Sequence, residues 1–303
     1  MAQMRFDDRV AVITGGGRGL GRAHALLLAS RGAKIVVNDP GGSLRGESDG
    51  VGPAEEVVQE IKAAGGESVA CTESVATSKG GQAIIQAALD SFGRIDILIH
   101  SAGIVRRSPL AEMSSEDFDG LLDVHLRGAF HVVRPAFALM CAAGYGRIVL
   151  TGSVVGLYGN SGAANYATAK GGTHGLACVA ALEGAAHDVK CNVILPVAET
   201  RMSEGLDTSS FPDMPPEWVS PAVGWLAHES CPMTGEMLIS AAGRVARAYV
   251  VETPGLFSAN WTIEDIAAQA DAIRHSDAPI EIPASPAGFL EHLKYSFAMA
   301  KAG

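Results

Sequence analysis

Short apolar runs alternate with longer amphipathic stretches along most of the chain. Residues 10–13 read as a buried strand and 20–30 as a helix closed by Gly32. A second strand follows at 34–38, then a helix at 53–64 ended by Gly65-Gly66. The alternation continues with a strand at 68–71, a helix at 81–92 and a strand at 96–100. Beyond it come a long helix at 121–143, a strand at 147–150, a helix at 164–186 and a strand at 189–195. Strands that are apolar throughout and alternate with helices predict an α/β fold: a doubly wound parallel sheet covered on both faces. Ligands of such sheets bind beyond the carboxyl ends of the strands, so candidate chemistry is sought there.

Two segments break the rhythm. Residues 39–52 form a polar, glycine-rich loop, longer than usual helix–strand connections. Residues 244–303 lie beyond the point where a six- or seven-stranded sheet is complete, and carry helical patterns at 261–272 and 289–297. The expected organisation is one domain over 1–243, with 244–303 as an extension packed on the same body.

Composition narrows the function classes. A net charge of −10, from 23 basic and 33 acidic residues, argues against a non-specific nucleic-acid binder. No apolar stretch approaches the roughly 20 residues that span a bilayer, and the first ten residues lack a signal-peptide core. The C-terminal Lys301-Ala302-Gly303 is not a peroxisomal address. Five scattered cysteines without a CxxC pair read as reduced thiols, so a cytoplasmic protein is expected. The nine histidines show no ligand spacing, and no metal is expected.

The first strand runs into Thr14-Gly15-Gly16-Gly17-Arg18-Gly19-Leu20-Gly21. Gly15 permits a sharp turn, Gly19 and Gly21 allow close backbone approach, and Leu20 opens a helix whose N-terminus favours phosphate. Asp39, about 20 residues further on, follows the second strand; a carboxylate there accepts the adenosine ribose hydroxyls and repels a 2′-phosphate. This favours NAD as cofactor, whereas Arg18 could pair with the extra phosphate of NADP.

Tyr166 and Lys170 are four residues apart at the start of a helix and share a face. A phenol titrates near 10 and is a poor base at neutral pH, but a neighbouring ammonium stabilises the phenolate. Ser153, in the small-residue segment Thr151-Gly152-Ser153, ends the preceding strand and could hold a substrate oxygen beside that phenol.

Together these residues resemble the short-chain dehydrogenase/reductase family: the glycine turn, Ser153 with Tyr166-x-x-x-Lys170, and His100-Ser101-Ala102-Gly103 where the family usually has Asn-Asn-Ala-Gly. The similarity runs in order from residue 5 to about residue 243. It implies a Rossmann fold in which Tyr166 is the catalytic acid/base, Lys170 lowers its pKa and holds the nicotinamide ribose, and Ser153 orients the substrate oxygen. It further implies cofactor contacts from Ser74-Val75, from Ser101, Ala102 and Gly103, and from the segment from Pro196 to Thr200. His125 stands where the family's tetrad has asparagine. It is either a core histidine or the residue whose backbone carbonyl holds a water of the Lys170 proton relay. Val197 replaces the usual glycine after Pro196.

Val37-Asn38-Asp39, Val124-His125-Leu126-Arg127-Gly128 and Gly156-Leu157-Tyr158-Gly159-Asn160 resemble a subgroup of the family. Its members oxidise (3R)-hydroxyacyl-CoA esters with NAD and accept 17β-hydroxysteroids. The expected substrate is therefore a hydrophobic secondary alcohol, a CoA thioester or a steroid, with an NADPH-dependent ketoacyl reductase and a non-catalytic NAD-binding protein as alternatives. Arg106-Arg107 could meet CoA phosphates or form a surface charge pair. Leu157, Tyr158, Met202, Leu206, Phe211 and Trp218 could line an apolar slot beneath a lid at 203–216. The family resemblance also implies a homodimer or homotetramer.

Overall fold

The computed structural model describes residues 3–41, 52–200, 211–282 and 288–302. Contacts divide the chain into one unit over Met1–Arg247 and a second over Ala248–Gly303. In the first unit β1 (Val10–Thr14), β2 (Lys34–Asn38), β3 (Ser68–Cys71), β4 (Ile97–His100), β5 (Gly146–Thr151), β6 (Val189–Val197), β7 (Met237–Ala241) and β8 (Arg244–Ala248) form one sheet, ordered β3-β2-β1-β4-β5-β6-β7-β8. The pairs from β3 through β7 are parallel. The strand order reverses between β1 and β4, and the cleft of a doubly wound sheet opens at such a switch.

Period-two alternation explains the burial on both faces. Ala11, Ile13, Ile35, Val37, Ile97 and Ile99 join one core with α1 (Gly19–Ser30), α2 (Pro53–Ala63) and, later in the chain, the helix at Ser220–Ala227. On the other side α3 (Ser78–Phe92) packs on the helical run from α4 (Ser115–Leu122) to α5 (Gly128–Ala143), and α5 packs on the helix at Ala164–Gly184.

The differences from the sequence reading have local causes. α3 starts three residues before the expected residue 81 because the Thr77 side chain accepts the Gly80 N–H at 3.0 Å and caps it. The helix expected at 121–143 starts at Ser115, where Ser114 accepts the Asp117 N–H, and a π turn at Asp123–Arg127 interrupts it. The sheet has eight strands rather than six or seven. Ala242 and Gly243, with φ of 46° and 81°, make the two-residue reversal that folds β8 back beside β7. The second unit holds a two-stranded antiparallel pair, Val251–Glu252 with Ile280–Glu281. The helix expected at 261–272 is split there into Ile263–Ala268 and Ala270–Arg274, while Gly288–Ala302 extends the one expected at 289–297.

At the edge opposite the cleft, β5 carries a charged residue in the core. Arg147 is 1% exposed; its guanidinium donates to Gly146 O (2.8 Å), Asp188 O (2.6 Å), the Asp188 carboxylate (3.1 Å) and Glu229 O (3.2 Å). The Tyr145 ring lies between Arg147 and Arg9, 4.4 and 3.8 Å from their guanidinium carbons. Arg147→Ala removes the partner of three backbone carbonyls, and we expect a loss of about 3 kcal/mol in urea unfolding. A change within a few tenths would show that these bonds are replaced by water at no cost.

Candidate active site

The glycine turn after β1 is built by close contacts. Gly15 has φ +64°, and a Cβ there would lie 2.7 Å from the Ala102 backbone. A Cβ on Gly21 would lie 2.1 Å from Gly15 O, so α1 packs directly on the turn. The α1 N-terminus has no side-chain cap and no acidic residue in its first turn, which leaves its N–H groups and dipole to an incoming anion. Asp39, just past β2, accepts the Gly17 N–H at 3.1 Å and the Gly41 N–H at 2.9 Å. Both bonds aim its carboxylate at the turn.

Across the switch point, β5 and the helix that follows bring three polar side chains together. We number that helix α7 (Ala164–Gly184), after the short α6 (Val155–Tyr158). The buried Ser153 accepts the Val155 N–H at 3.1 Å. Lys170, 5% exposed, donates from Nζ to Thr151 O at 2.5 Å and sits 5.6 Å from the Tyr166 ring centroid. Asn165 fixes the start of α7: its amide donates to Arg106 O (3.0 Å) and Asp117 O (3.1 Å), and its Oδ1 accepts the Tyr166 N–H (2.8 Å). The sequence signal for this anchor is only an Asn beside the tyrosine.

One cleft is lined by Gly15, Arg18, Gly19, Leu20, Gly21, Asp39, Ser101, Ala102, Gly103, His125, Ser153, Tyr166, Lys170, Pro196 and Thr200. All were singled out from the sequence. Ala198, within the expected segment from Pro196 to Thr200, lines it too, and so do Val105, Thr151, Val155, Asn160 and Ala163, for which the sequence carries no such signal. Ser74 and Val75 are not among its lining residues: Ser74 is exposed, and Val75 is buried against Gly128 of α5. The expected apolar slot is not assembled by its described members. Leu157, Tyr158, Phe211 and Trp218 do not line the cleft, and Tyr158 is 76% exposed. Met202 and Leu206 lie outside the described residues, as do positions 203–210 of the expected lid and most of the loop at 39–52. Glu199 donates its N–H to Met214 O at 2.7 Å, which brings the two flanks of that segment together.

The electrostatics correct one expectation. Burial is the main influence on the Tyr166 phenol and raises its pKa; the Ser153 hydroxyl and the Arg107 charge pull it down, and Lys170 is not among the causes. Burial pushes the Lys170 ammonium down to about 7, so the amine is partly neutral at physiological pH. Arg106 is paired with Asp117 at 3.2 Å, and Arg107 is exposed on the cleft rim. The His125 ring is buried: Nε2 lies 2.8 Å from Ile104 O and 3.0 Å from Ile104 N, and the ring meets Tyr166 edge-on at 5.3 Å. Its side chain therefore packs as a core histidine, while its backbone belongs to the π turn.

The lysine shift has a stability consequence. A native pKa below the unfolded value means the unfolded chain binds more protons between about pH 7 and 10.5. The burial cost is full below about pH 7 and disappears as pH rises through that window. We expect Lys170→Met to gain stability relative to wild type at about pH 6 and to lose that advantage near pH 10. A pH-independent difference in urea unfolding would contradict the shift.

The family model described as short chain dehydrogenase matches residues 9–209. The chain belongs to the short-chain dehydrogenase family. As a member it is an oxidoreductase, and the family's cofactor is a nicotinamide dinucleotide. It is 46% identical to the peroxisomal multifunctional enzyme type 2 of Drosophila melanogaster over 84% of this chain and 42% of that one. The mouse protein of the same name is 44% identical over 80% of this chain and 33% of its own length. The chain thus spans less than half of these relatives. A short chain dehydrogenase from Mycobacterium avium superposes with a TM-score of 0.79 at 38% identity, covering 91% of this chain and 98% of that one. Among the described residues no helix is long and apolar enough to cross a membrane, and no three His, Cys, Asp or Glu side chains group as metal ligands.

Proposed function

We propose that this short-chain dehydrogenase uses NAD to oxidise a secondary alcohol to a ketone, on a (3R)-hydroxyacyl-CoA ester. The supporting observation is the meeting of Asp39, the uncapped α1 N-terminus, Ser153, Tyr166 and Lys170 in one cleft. The residues present fit a dinucleotide. A Cβ at Gly21 would close the turn that α1 needs to reach a pyrophosphate, and the Asp39 carboxylate is already held beside that turn. Gly15, Gly19 and Gly21 would hold the phosphates, Asp39 the adenosine ribose and Lys170 the nicotinamide ribose.

When bound, the dinucleotide supplies the acceptor for the hydride of the carbinol carbon. Tyr166 takes the hydroxyl proton, and the Ser153 hydroxyl donates to the substrate oxygen as negative charge grows there. Lys170, with a pKa near the working pH, would pass the proton onward to a water held by the backbone carbonyl of His125. The acyl-CoA assignment rests on the subgroup motifs and on relatives named multifunctional enzyme type 2. The apolar wall of Val105, Leu121 and Val155 also suits a free 17β-hydroxysteroid, the second reading. Asp39 opposes the NADPH-dependent ketoacyl reductase. The exposed Phe130 on α5 and Val179 on α7 support a dimer or tetramer formed through those helices, and the free cysteines support a cytoplasmic location.

Initial rates with NAD and NADP on (3R)- and (3S)-hydroxyacyl-CoA, a 17β-hydroxysteroid and a ketoacyl thioester test this. The expected result is fastest turnover of the (3R) ester with NAD. Preference for NADP with a ketoacyl thioester would replace the proposal by a reductase.

A further inference from the structure

Asn165, the second residue of α7, directly precedes Tyr166 and is fully buried. A buried asparagine must satisfy two amide hydrogens and a carbonyl oxygen away from water. Here all are used, and on three different elements. Nδ2 donates to Arg106 O at 3.0 Å, in the segment after β4, and to Asp117 O at 3.1 Å, in α4. Oδ1 accepts the Tyr166 N–H at 2.8 Å. These partners also fix which way the amide faces, because turned over its oxygen would meet two carbonyl oxygens and its nitrogen an N–H.

The elements joined in this way build the substrate side of the cleft. Val105 and Arg107, on either side of the carbonyl that Asn165 holds, both line it, and so does Leu121, one turn beyond Asp117. Tyr166 packs against the buried group of Ile104, Leu121 and Ala169. Two further links join the same pieces in pairs. The Ser108 N–H donates to Gly162 O at 3.0 Å just before α7, and the Arg106 guanidinium meets the Asp117 carboxylate at 3.2 Å. That ion pair is open to water, with side chains 25% and 46% exposed, and contributes little. Asn165 ties all three elements at once and does so in the dry interior, where its bonds are costly to lose.

We propose that Asn165 is a positioning residue, which sets where the Tyr166 hydroxyl stands relative to the wall of Val105, Arg107 and Leu121 that receives the rest of the alcohol. The inference rests on the proposed alcohol oxidation for its consequence in turnover, and on the three hydrogen bonds for its geometry. None of those bonds reaches β1, α1 or β2, which carry the glycine turn and Asp39, so alignment of the phenol separates from dinucleotide binding. Two substitutions divide the bonds. Asn165→Leu removes all three at similar volume. Asn165→Asp keeps the acceptor for the Tyr166 N–H and exchanges the amide donor for a carboxyl oxygen. Burial raises the pKa of such a carboxyl. In its neutral form the O–H can donate to one of the two carbonyls, whereas the ionised form sets a negative oxygen against both.

Two readouts test it on the full chain. The first needs no substrate. In protein carrying a carbon label at the tyrosine Cζ, with the Tyr166 signal assigned by its loss in Tyr166→Phe, Asn165→Leu should displace or broaden that signal. The Tyr145 signal, from the opposite edge of the sheet, should stay in place. An unmoved Tyr166 signal overturns the positioning role whether or not a substrate is known. In turnover of a secondary alcohol, Asn165→Leu should lower kcat about tenfold or more and raise the primary deuterium isotope effect, with dinucleotide Kd within about twofold at one site per chain. The rate of Asn165→Asp relative to wild type should be about fivefold or more higher at about pH 6 than at about pH 9, while the Leu ratio stays flat. Lys170, Tyr166 and Asp117 are common to both variants, so that comparison isolates position 165. If the Leu variant does not unfold cooperatively, the Asp variant carries both readouts. Loss of dinucleotide sites in proportion to rate, a loss confined to Kd, a flat Asp ratio, or failure of both variants to fold makes Asn165 a structural anchor and overturns the role. Absence of turnover by the wild type on every alcohol would instead overturn the functional reading and leave the tyrosine signal to decide the geometry.

Discussion

Tyr166→Phe should lower kcat by about three orders of magnitude or more while leaving dinucleotide affinity within about twofold. The ring itself is a packing element: it meets His125 edge-on at 5.3 Å and lies beside the Lys170 amine, and phenylalanine keeps both contacts. Only the oxygen is lost. That oxygen is the group beside the Ser153 hydroxyl able to accept a proton from a substrate alcohol. Because burial raises the phenol's pKa, kcat of the wild type should rise with pH, and the variant should lose that limb. Equilibrium titration of the dinucleotide, followed by single-turnover rates, separates the two quantities. A variant that binds weakly but turns over normally would make Tyr166 a binding residue.

Replacing Asp39 should have the second largest effect, on cofactor choice. Its carboxylate accepts two backbone N–H groups, so it both shapes the turn and carries the charge that repels a 2′-phosphate. Asp39→Asn keeps an acceptor for those bonds and removes the charge. We expect it to raise kcat/KM with NADP relative to NAD by about a hundredfold, with a cooperative unfolding transition preserved. Asp39→Ala removes the bonds as well, and should weaken both cofactors. If Asn leaves the preference unchanged, discrimination resides elsewhere, with Arg18 of the same turn the first residue to vary.

The parallel core was legible because its central strands β1, β4 and β5 are buried on both faces. Residues 10–13 and 35–37 are apolar and buried throughout, and the readings at 10–13, 34–38 and 68–71 match β1, β2 and β3 closely. The cleft was legible for a related reason: glycines, a strand-end carboxylate and a tyrosine–lysine pair are rare enough in those places to point to chemistry. What the pattern could not show depends on three-dimensional packing. The π turn at Asp123–Arg127 does not alter hydrophobic spacing enough to be seen, and an expected long helix concealed it. β8 has an exposed face and Arg244 and Arg247 within it, so it did not read as a strand. The effect of Lys170 on Tyr166 follows from adjacency alone, whereas burial is the main influence on each group and Lys170 is not among those that shift the phenol. The described members of the expected slot do not line the cleft, since Tyr158 and Trp218 are exposed, which composition alone does not reveal.

The most direct measurement is one turnover of reduced-nicotinamide absorbance, recorded when excess wild-type protein and NAD meet a (3R)-hydroxyacyl-CoA ester. The account predicts a rapid rise of near-stoichiometric amplitude that disappears in Tyr166→Phe. An equal rise in that variant, or none in the wild type with any secondary alcohol, would contradict it.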